Sequence, residues 1–490
     1  MKPLVHKFCT GQNLYIYDTN TNNIIKTDRV VFDIIDSYKS MEISELIKEL
    51  EDKYSEEEIL KAYNEIVLFH EIKGMFRDKP LEKMIFPYST YEIKGYLETD
   101  LEQLILNVTE ECNLDCSYCI YSGRYLHHRR HSKKYMSLDI AKKALSFFCD
   151  RCSKKNFVHI GFYGGEPLLA INLVVDCVNF AAKACSKLNN KLSFSITTNG
   201  TLLDEKTIRF LIKNDFSLLV SLDGPKKIND RYRITRNGKG TFDLVVNNLK
   251  TIRKINEHYY QNRVGFSVVL VPPYDLNSVF NFFSEYNEIV CGNRTVIHGI
   301  SCEENSFFKI PILAHEPKNY ADQVEQLSEE FVLLTLNEKE NPNKLKTLSN
   351  FFGSSLLKIH SRQKQPMPEF VFTNGCCLPG KNRLFVTTKG EFYPCEKIGE
   401  SIVIGDVWSG FNRGAIFSLI KEYINLSEQN CINCWAVRLC TDCYASSSNG
   451  AALDKDMKEK NCHAIRSHLD LLLRVYSEIM ERKPNAHFSL

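Results

Sequence analysis

The chain has 490 residues, a formal net charge of +2 at pH 7 and 43% hydrophobic residues. This apolar content excludes an intrinsically disordered chain, and the near-zero charge argues against a general nucleic-acid or polyanion binder. The length predicts two or three domains. The N-terminus lacks an apolar run of the signal-peptide type, and the longest apolar stretch, Val264–Val271, is too short to span a bilayer. We therefore expect a cytoplasmic protein whose 18 cysteines bind metal or carry out redox chemistry.

Residues 1–80 are predicted to form a small module of their own. Two strand-like runs, Leu14–Tyr17 and Ile24–Lys26, flank a turn-like segment, and helical patterns follow near 28–38, 42–53 and 56–72. This order is typical of a winged-helix-like module. The module holds 11 Lys and Arg against 15 Asp and Glu, a net charge of −4 (11 − 15). Because a DNA-reading module carries a basic face, the charge favours peptide recognition.

Residues 81–103 are predicted to be a linker, and residues 104–310 alternate six strand-like runs with helical patterns. Repeated βα units predict a parallel sheet, and six of them indicate an α/β fold with a partial (β/α)6 TIM-like barrel. Active-site residues should then follow the C-terminal ends of the strands. The predicted strands are Leu104–Thr109, Phe157–Tyr163, Leu192–Thr197, Leu218–Leu222, Val264–Val271 and Thr295–Ile300, with helices near 137–150, 168–188, 204–214, 241–257 and 276–287.

The remaining chain divides into three predicted parts. Residues 311–369 are a helical bridging region, residues 370–470 are rich in turns and cysteines with few long regular elements, and residues 471–490 are a C-terminal helix and tail. The last helix is predicted over 463–482. Eight cysteines lie within 376–462 and three within 112–119, so both regions are candidates for metal binding.

The first cysteine group follows the first barrel strand. Cys112-x3-Cys116-x2-Cys119 offers three thiolates from one short loop, and cubane iron–sulfur clusters are held by such thiolates. Three ligands on four irons leave one iron open to a chelating molecule. Zinc is the alternative, although a closed zinc site needs a fourth ligand. The basic stretch at 127–131 that follows is expected to be an exposed loop.

Together with a second motif, this cysteine loop makes the chain resemble the radical S-adenosylmethionine (SAM) superfamily. Gly164-Gly165-Glu166-Pro167 follows the second strand and matches the family's GGEP motif, which meets the SAM amino group. The resemblance implies a [4Fe–4S] cluster on the three cysteines, with the amino-acid end of SAM on the open iron. It also implies reductive cleavage of SAM to methionine and a 5′-deoxyadenosyl radical, chemistry that belongs to the cofactors.

The resemblance extends to the ends of the third and fourth strands. Thr198 and Asn199 occupy the family's ribose-contacting position, although Asn199-Gly200 alone is also an ordinary turn. Ser221 corresponds to the residue that contacts the carboxylate of SAM in the family, and Arg233 is a second candidate for this contact. The SAM-contacting residues that the resemblance implies are Tyr118 (beside adenine), Gly164, Gly165, Glu166, Pro167, Thr198, Asn199, Ser221, Asp223 and Arg233.

The second cysteine group resembles a SPASM domain, the C-terminal extension of radical SAM enzymes that act on peptides. Its spacing begins with Cys377-x12-Gly390-x4-Cys395. A C-x2-C-x5-C-x2-C run and a final cysteine follow, and this run ends in x2 where the usual SPASM spacing has x3. The resemblance implies two auxiliary [4Fe–4S] clusters. The first would use Cys377, Cys395 and Cys443, with Cys376 as a fourth ligand or an iron left open; the second would use Cys431, Cys434, Cys440 and Cys462.

Two zinc ribbons fit the C-x2-C spacing equally well. The upstream radical SAM motifs favour iron–sulfur clusters, and structural disulfides conflict with a cytoplasmic setting.

The motifs together resemble radical SAM/SPASM maturases of the sactipeptide and ranthipeptide kind. The resemblance implies an enzyme that installs thioether crosslinks in a ribosomally made, Cys-containing precursor peptide whose leader binds the N-terminal module. It also implies a flavodoxin- or ferredoxin-type electron donor, with no nucleic acid or membrane partner. The alternatives are carbon–carbon crosslinking, epimerisation or formylglycine formation by a related enzyme, and a non-catalytic zinc-binding, peptide-binding protein.

Overall fold

The computed structural model describes residues 2–78, 81–125, 127–152, 156–185, 191–286, 288–290, 293–299 and 316–488. The predicted end of the barrel region at residue 310, and the last residue of the predicted sixth strand, lie outside these ranges.

The N-terminal module is a three-stranded antiparallel sheet followed by three helices. The sheet order is β1 (Val5–Cys9), β2 (Leu14–Asp18), β3 (Asn23–Thr27). The Asp18 carboxylate closes the turn between β2 and β3, since it accepts hydrogen bonds from the backbone N–H and hydroxyl of Thr21. Strand β1 was not predicted, because its exposed and buried side chains do not alternate. The helices are α1 (Arg29–Ile34), α2 (Ile43–Leu50) and α3 (Glu56–Lys73).

Residues 81–103, which were predicted to be a linker, contain regular structure. They hold β4 (Lys83–Met84) and α4 (Thr90–Thr99). Helix α4 begins with a capping box, in which Ser89 and Glu92 satisfy each other's backbone N–H groups.

The strands of the barrel sheet are β5 (Gln103–Thr109), β6 (Phe157–Gly164), β7 (Lys191–Thr198), β8 (Ser217–Ser221), β9 (Val264–Leu270) and β10 (Thr295–Gly299). The helices between them are α5 (Leu138–Cys149), α6 (Ile171–Ala184), α7 (Glu205–Lys213), α8 (Lys226–Tyr232), α9 (Phe242–Ile255), α10 (Glu257–Arg263) and α11 (Leu276–Glu285). Within the described residues, the six strands are parallel and lie in the order β10-β9-β8-β7-β6-β5, which confirms the predicted α/β fold.

Among the described helices, only the segment Pro167–Ala184 is long and apolar enough to cross a membrane. Its residues Val174, Cys177 and Val178 are buried in the barrel core.

The C-terminal third extends this sheet. Its elements are α12 (Glu316–Leu336), α13 (Pro342–His360), β11 (Phe370–Val371), β12 (Arg383–Val386), β13 (Glu391–Tyr393), β14 (Gly405–Asp406), β15 (Gly410–Phe411), α14 (Arg413–Cys431) and α15 (Lys455–Arg482). Strand β12 pairs in parallel with β5, and β13, β14 and β15 continue antiparallel, so that the part of the chain that the structure describes forms a sheet of ten strands. The short β11 pairs with β4.

Two predictions for this region were wrong. Helix α14 has 19 residues, although few long elements were expected there. Helix α15 begins at Lys455 rather than near 463, and it runs through the predicted boundary between 470 and 471. Its first two turns were missed because the side chain that they bury is the charged Lys458 and not an apolar one.

Candidate active site

The three cysteines of the first group lie in the loop that follows β5. Backbone N–H groups point at two of the sulfurs, from Leu114 to Cys112 Sγ at 3.5 Å and from Tyr121 to Cys119 Sγ at 3.4 Å. Burial raises the pKa of the Cys112 thiol to about 11 and that of Cys119 to about 12. Thiolates here therefore need nearby positive charge, which cluster iron provides. The donor set and its N–H groups fit a cysteine-ligated iron–sulfur cluster.

The two glycines of the second motif let its loop touch the cysteine loop. The N–H of Gly165 donates to Thr109 O at 2.9 Å, and the N–H of Glu166 donates to Glu111 O at 2.8 Å. A Cβ on Gly164 would lie 2.2 Å from Thr109 O, and Gly164 has φ +146°. Both positions therefore require glycine, because backbone rather than a movable side chain fills the space.

Glu166 joins the ends of strands β6 and β7. Its carboxylate is fully buried and accepts hydrogen bonds from Thr198 Oγ1 at 2.7 Å and from Asn199 N at 2.7 Å. Asn199 in turn donates to Asn113 Oδ1 at 2.8 Å, and its Nδ2 lies 4.0 Å from Cys112 Sγ. The structure thus places Glu166, Thr198 and Asn199 in one network that reaches the cysteine loop.

Tyr118, Asp223 and Arg233 form a second buried group at the cysteine loop. The Tyr118 hydroxyl donates to Asp223 Oδ2 at 2.6 Å, and Arg233 Nη1 donates to the same hydroxyl. Arg233 Nη1 lies 3.8 Å from Asp223 Oδ2. Asp223 also accepts from Val269 N at 3.0 Å, so the group ties the cysteine loop to the ends of β8 and β9. Ser221 is half-buried at the end of β8, and Pro167 begins the turn after Glu166.

Four cysteines of the second group influence one another. Burial raises the pKa of the Cys395 thiol to about 12, and Cys377 and Cys443 raise it further. Burial also raises the pKa of the Cys376 thiol, and Cys443 adds to this effect. The Sγ atom of Cys376 donates to Asp442 O at 3.8 Å. The buried Tyr444 hydroxyl lies beside these thiols with no hydrogen-bond partner among the described residues. Cluster sulfur would accept from it, so this site fits a cluster as well.

The other four cysteines form a second set. Burial raises the pKa of the Cys431 thiol to about 12; Lys458 opposes this, and Cys434 and Cys462 add to it. Cys440 has its pKa raised to about 12 by burial, with Cys431 and Cys434 contributing. These pKa effects connect Cys431, Cys434, Cys440 and Cys462 with one another. Within the described residues, no three His, Cys, Asp or Glu side chains are arranged to hold a single metal ion.

Comparison with known proteins identifies the family. The family model of the Radical SAM superfamily matches residues 106–277. A cysteine-type anaerobic sulfatase-maturating enzyme of Clostridium perfringens is 30% identical over 365 residues, which span 69% of this chain and 87% of that protein. The chain belongs to the radical SAM superfamily. A second enzyme of this name, from Clostridium novyi, is 33% identical over 32% of this chain and 42% of its own length.

A solved structure shares the fold of this radical SAM enzyme. Native anSMEcpe with bound AdoMet superposes with a TM-score of 0.58 at 21% identity, covering 79% of this chain and 100% of that one. About a fifth of the radical SAM chain therefore has no counterpart in it. The family and these relatives show a radical SAM maturase of the SPASM type. Its cofactors include SAM and a [4Fe–4S] cluster, in agreement with the donor set after β5.

The basic stretch after the cysteine loop was expected to be an exposed loop, but it is partly buried. His127 and Arg130 are exposed, but His128 and Arg129 are buried. The Arg129 guanidinium lies 4.6 Å from the Phe385 ring centroid and donates to Glu396 O at 2.7 Å. His131 Nε2 lies 3.8 Å from Cys119 Sγ. Arg129 thus connects the first cysteine loop with the segment after Cys395.

Replacing Arg233 by Met should strongly destabilise the region that we predict to bind SAM. The substitution leaves the buried Asp223 carboxylate without its cation, which typically costs about 3–5 kcal/mol. We expect a lower unfolding temperature and weakened SAM binding, measured by calorimetry on anaerobic protein. Arg209→Met is the matched control, since Arg209 pairs with Glu205 on an exposed helix face. Equal effects of the two substitutions would contradict the prediction.

Proposed function

We propose that this radical SAM enzyme installs thioether crosslinks in a ribosomally made, Cys-containing precursor peptide. The observation that supports it most is the pairing of β12 with β5. Strand β5 leads to Cys112, and β12 lies between Cys377 and Cys395. In addition, the Tyr121 hydroxyl donates to Glu396 O at 3.1 Å. A peptide between the two cysteine loops would meet hydrogen abstraction on one side and an electron acceptor on the other.

The proposed reaction balances in hydrogens and electrons. When bound, the [4Fe–4S] cluster and SAM supply a 5′-deoxyadenosyl radical, with one electron entering from a flavodoxin- or ferredoxin-type donor. One hydrogen atom leaves the acceptor carbon of the peptide and ends in 5′-deoxyadenosine. The cysteine thiol of the peptide loses its proton, its sulfur bonds to that carbon, and one electron leaves to an auxiliary cluster.

The auxiliary clusters are part of the proposal. Cys377, Cys395 and Cys443, with Cys376 nearby, would hold the first, and Cys431, Cys434, Cys440 and Cys462 would hold the second. Support comes from the mutual influence of the thiols within each set and from the unpartnered Tyr444 hydroxyl. Gly375 allows the approach of the two segments, since a Cβ there would lie 2.2 Å from Thr441 O and Asp442 O.

The N-terminal module is proposed to bind the leader of the precursor, in the cytoplasm. Its edge strand β3 is partly exposed, and an extended peptide can add to such an edge. The module contacts Trp435, the residue after Cys434: the His6 ring stacks on Trp435 at 3.8 Å, and Thr19 Oγ1 donates to Trp435 O at 2.9 Å. A leader bound to this module would therefore lie close to the proposed auxiliary site.

Co-expression with a candidate Cys-rich precursor tests the function. We expect a mass loss of two hydrogens per crosslink that persists after thiol reductant, measured by mass spectrometry, because a thioether resists reduction. A leaderless precursor is the control and should stay unmodified. A mass loss that reductant reverses would indicate disulfides and contradict the proposal.

Formylglycine formation is the second candidate. Its support is the likeness to cysteine-type anaerobic sulfatase-maturating enzymes, one of which aligns over 87% of its length. Such a product carries an aldehyde in place of the thiol. A hydrazide probe that labels a sulfatase-derived Cys peptide, with no crosslinked product from any precursor, would favour this candidate.

A further inference from the structure

The buried carboxylate of Asp442 sits between the two proposed auxiliary sites. Its backbone touches one cysteine of each set, since its N–H points to Cys440 Sγ at 3.4 Å and its carbonyl accepts from Cys376 Sγ at 3.8 Å. Its side chain accepts five hydrogen bonds, from Tyr423 Oη, Ser446 Oγ, Ser447 Oγ, Lys458 Nζ and Asn461 Nδ2. No sequence motif pointed to this residue.

The Asp442 carboxylate forms an ion pair with Lys458, whose side chain is only 2% exposed. Its Nζ lies 2.6 Å from Asp442 Oδ2, 3.3 Å from the Tyr423 hydroxyl and 4.6 Å from the centroid of the Tyr423 ring. Lys458 is on α15 one turn before Cys462, so both side chains share one helix face. A lysine is almost never buried this completely, and a hydrophobic residue would satisfy mere packing at lower cost.

We propose that the Lys458–Asp442 pair sets the reduction potential of the auxiliary cluster on Cys431, Cys434, Cys440 and Cys462. Reduction adds negative charge to a cluster, and net charge and hydrogen bonds around the sulfurs tune its potential. In a dry interior, a fixed charge acts on the cluster with little screening. Lys458 therefore raises the potential and Asp442 lowers it. This inference rests on the auxiliary clusters under Proposed function.

The test is a redox titration followed by electron paramagnetic resonance on full-length, anaerobically reconstituted protein. Cys112, Cys116 and Cys119 are replaced by Ala, so that only auxiliary signals remain. The relevant one-electron couple is the one that disappears when Cys462 is also replaced by Ala. Iron content is measured for each variant. Variants with unchanged iron and unchanged couples after Cys462→Ala would show that the cluster assignment itself fails.

Lys458→Met should shift this couple to a more negative potential. We expect roughly a tenfold lower ratio of reduced to oxidised cluster at a fixed applied potential, equal to about 59 mV for one electron. Asp442→Asn should shift it the opposite way, the double variant should return near the starting value, and Lys458→Arg should stay near it. Lys455→Met is the control, since Lys455 is exposed on the same helix.

An unshifted couple in iron-replete Lys458→Met, or a shift matched by Lys455→Met, overturns the proposal while leaving the cluster assignment intact. If Lys458→Met loses its iron, Asp442→Asn decides, because only a shift to more positive potential agrees with a charge effect.

Discussion

Replacing Cys112, Cys116 and Cys119 by Ala should abolish the reductive cleavage of SAM. The loop after β5 supplies these three sulfurs as the predicted ligands of the SAM-binding cluster, and alanine offers no donor atom to iron. We expect 5′-deoxyadenosine production to fall below detection under dithionite. Iron content should drop by about four per chain, from about twelve, if three cubane clusters form.

Cys152→Ala and Cys177→Ala are the matched controls for this experiment. Both thiols are buried, and both lie outside the two cysteine groups that we assign to clusters. Each should keep its iron and its SAM cleavage, with only a small loss of stability from the smaller side chain. Continued 5′-deoxyadenosine production by the triple variant would refute the assignment of the SAM-binding cluster.

The barrel and the motif positions could be predicted because their signals are local. Six strands alternate with amphipathic helices. Helix α9 is an example, since it buries Phe242, Val245, Val246 and Leu249 along one face. The motifs then follow strand ends, where a parallel sheet gathers functional residues. These regularities need no knowledge of distant contacts.

The elements that were missed depend on contacts far apart in the chain. Strand β12 has only four residues, and its partner β5 lies 280 positions earlier, Arg383 pairing with Gln103. The burial of Arg129 needs aromatic rings from β12 and β13, and that of Lys458 needs Asp442. In isolation a basic residue predicts an exposed surface, since the cost of burial is met only by its partners.

Replacing Gly165 by Ala should separate the two loops that we predict to form the SAM site. The added Cβ would lie 2.2 Å from Glu111 O and 2.5 Å from Glu111 C, and neither backbone atom can rotate away. The loop must then move, which breaks the hydrogen bond from Glu166 N to Glu111 O. We expect a loss of about 3 kcal/mol in the free energy of unfolding. SAM affinity should fall at least about tenfold, which corresponds to a loss of about 1.4 kcal/mol in the free energy of SAM binding.

Gly95→Ala separates this steric effect from the general effect of losing a glycine. Gly95 is inside helix α4, and a Cβ there would meet no atom within 4 Å. Alanine in a helix interior is favoured over glycine by about 0.5–1 kcal/mol, so this control should unfold at the same or a higher temperature. Thermal unfolding and calorimetric SAM titration of both variants measure the contrast. A Gly165→Ala protein that binds SAM as tightly as the parent would show that the close contact between the two loops does not position SAM.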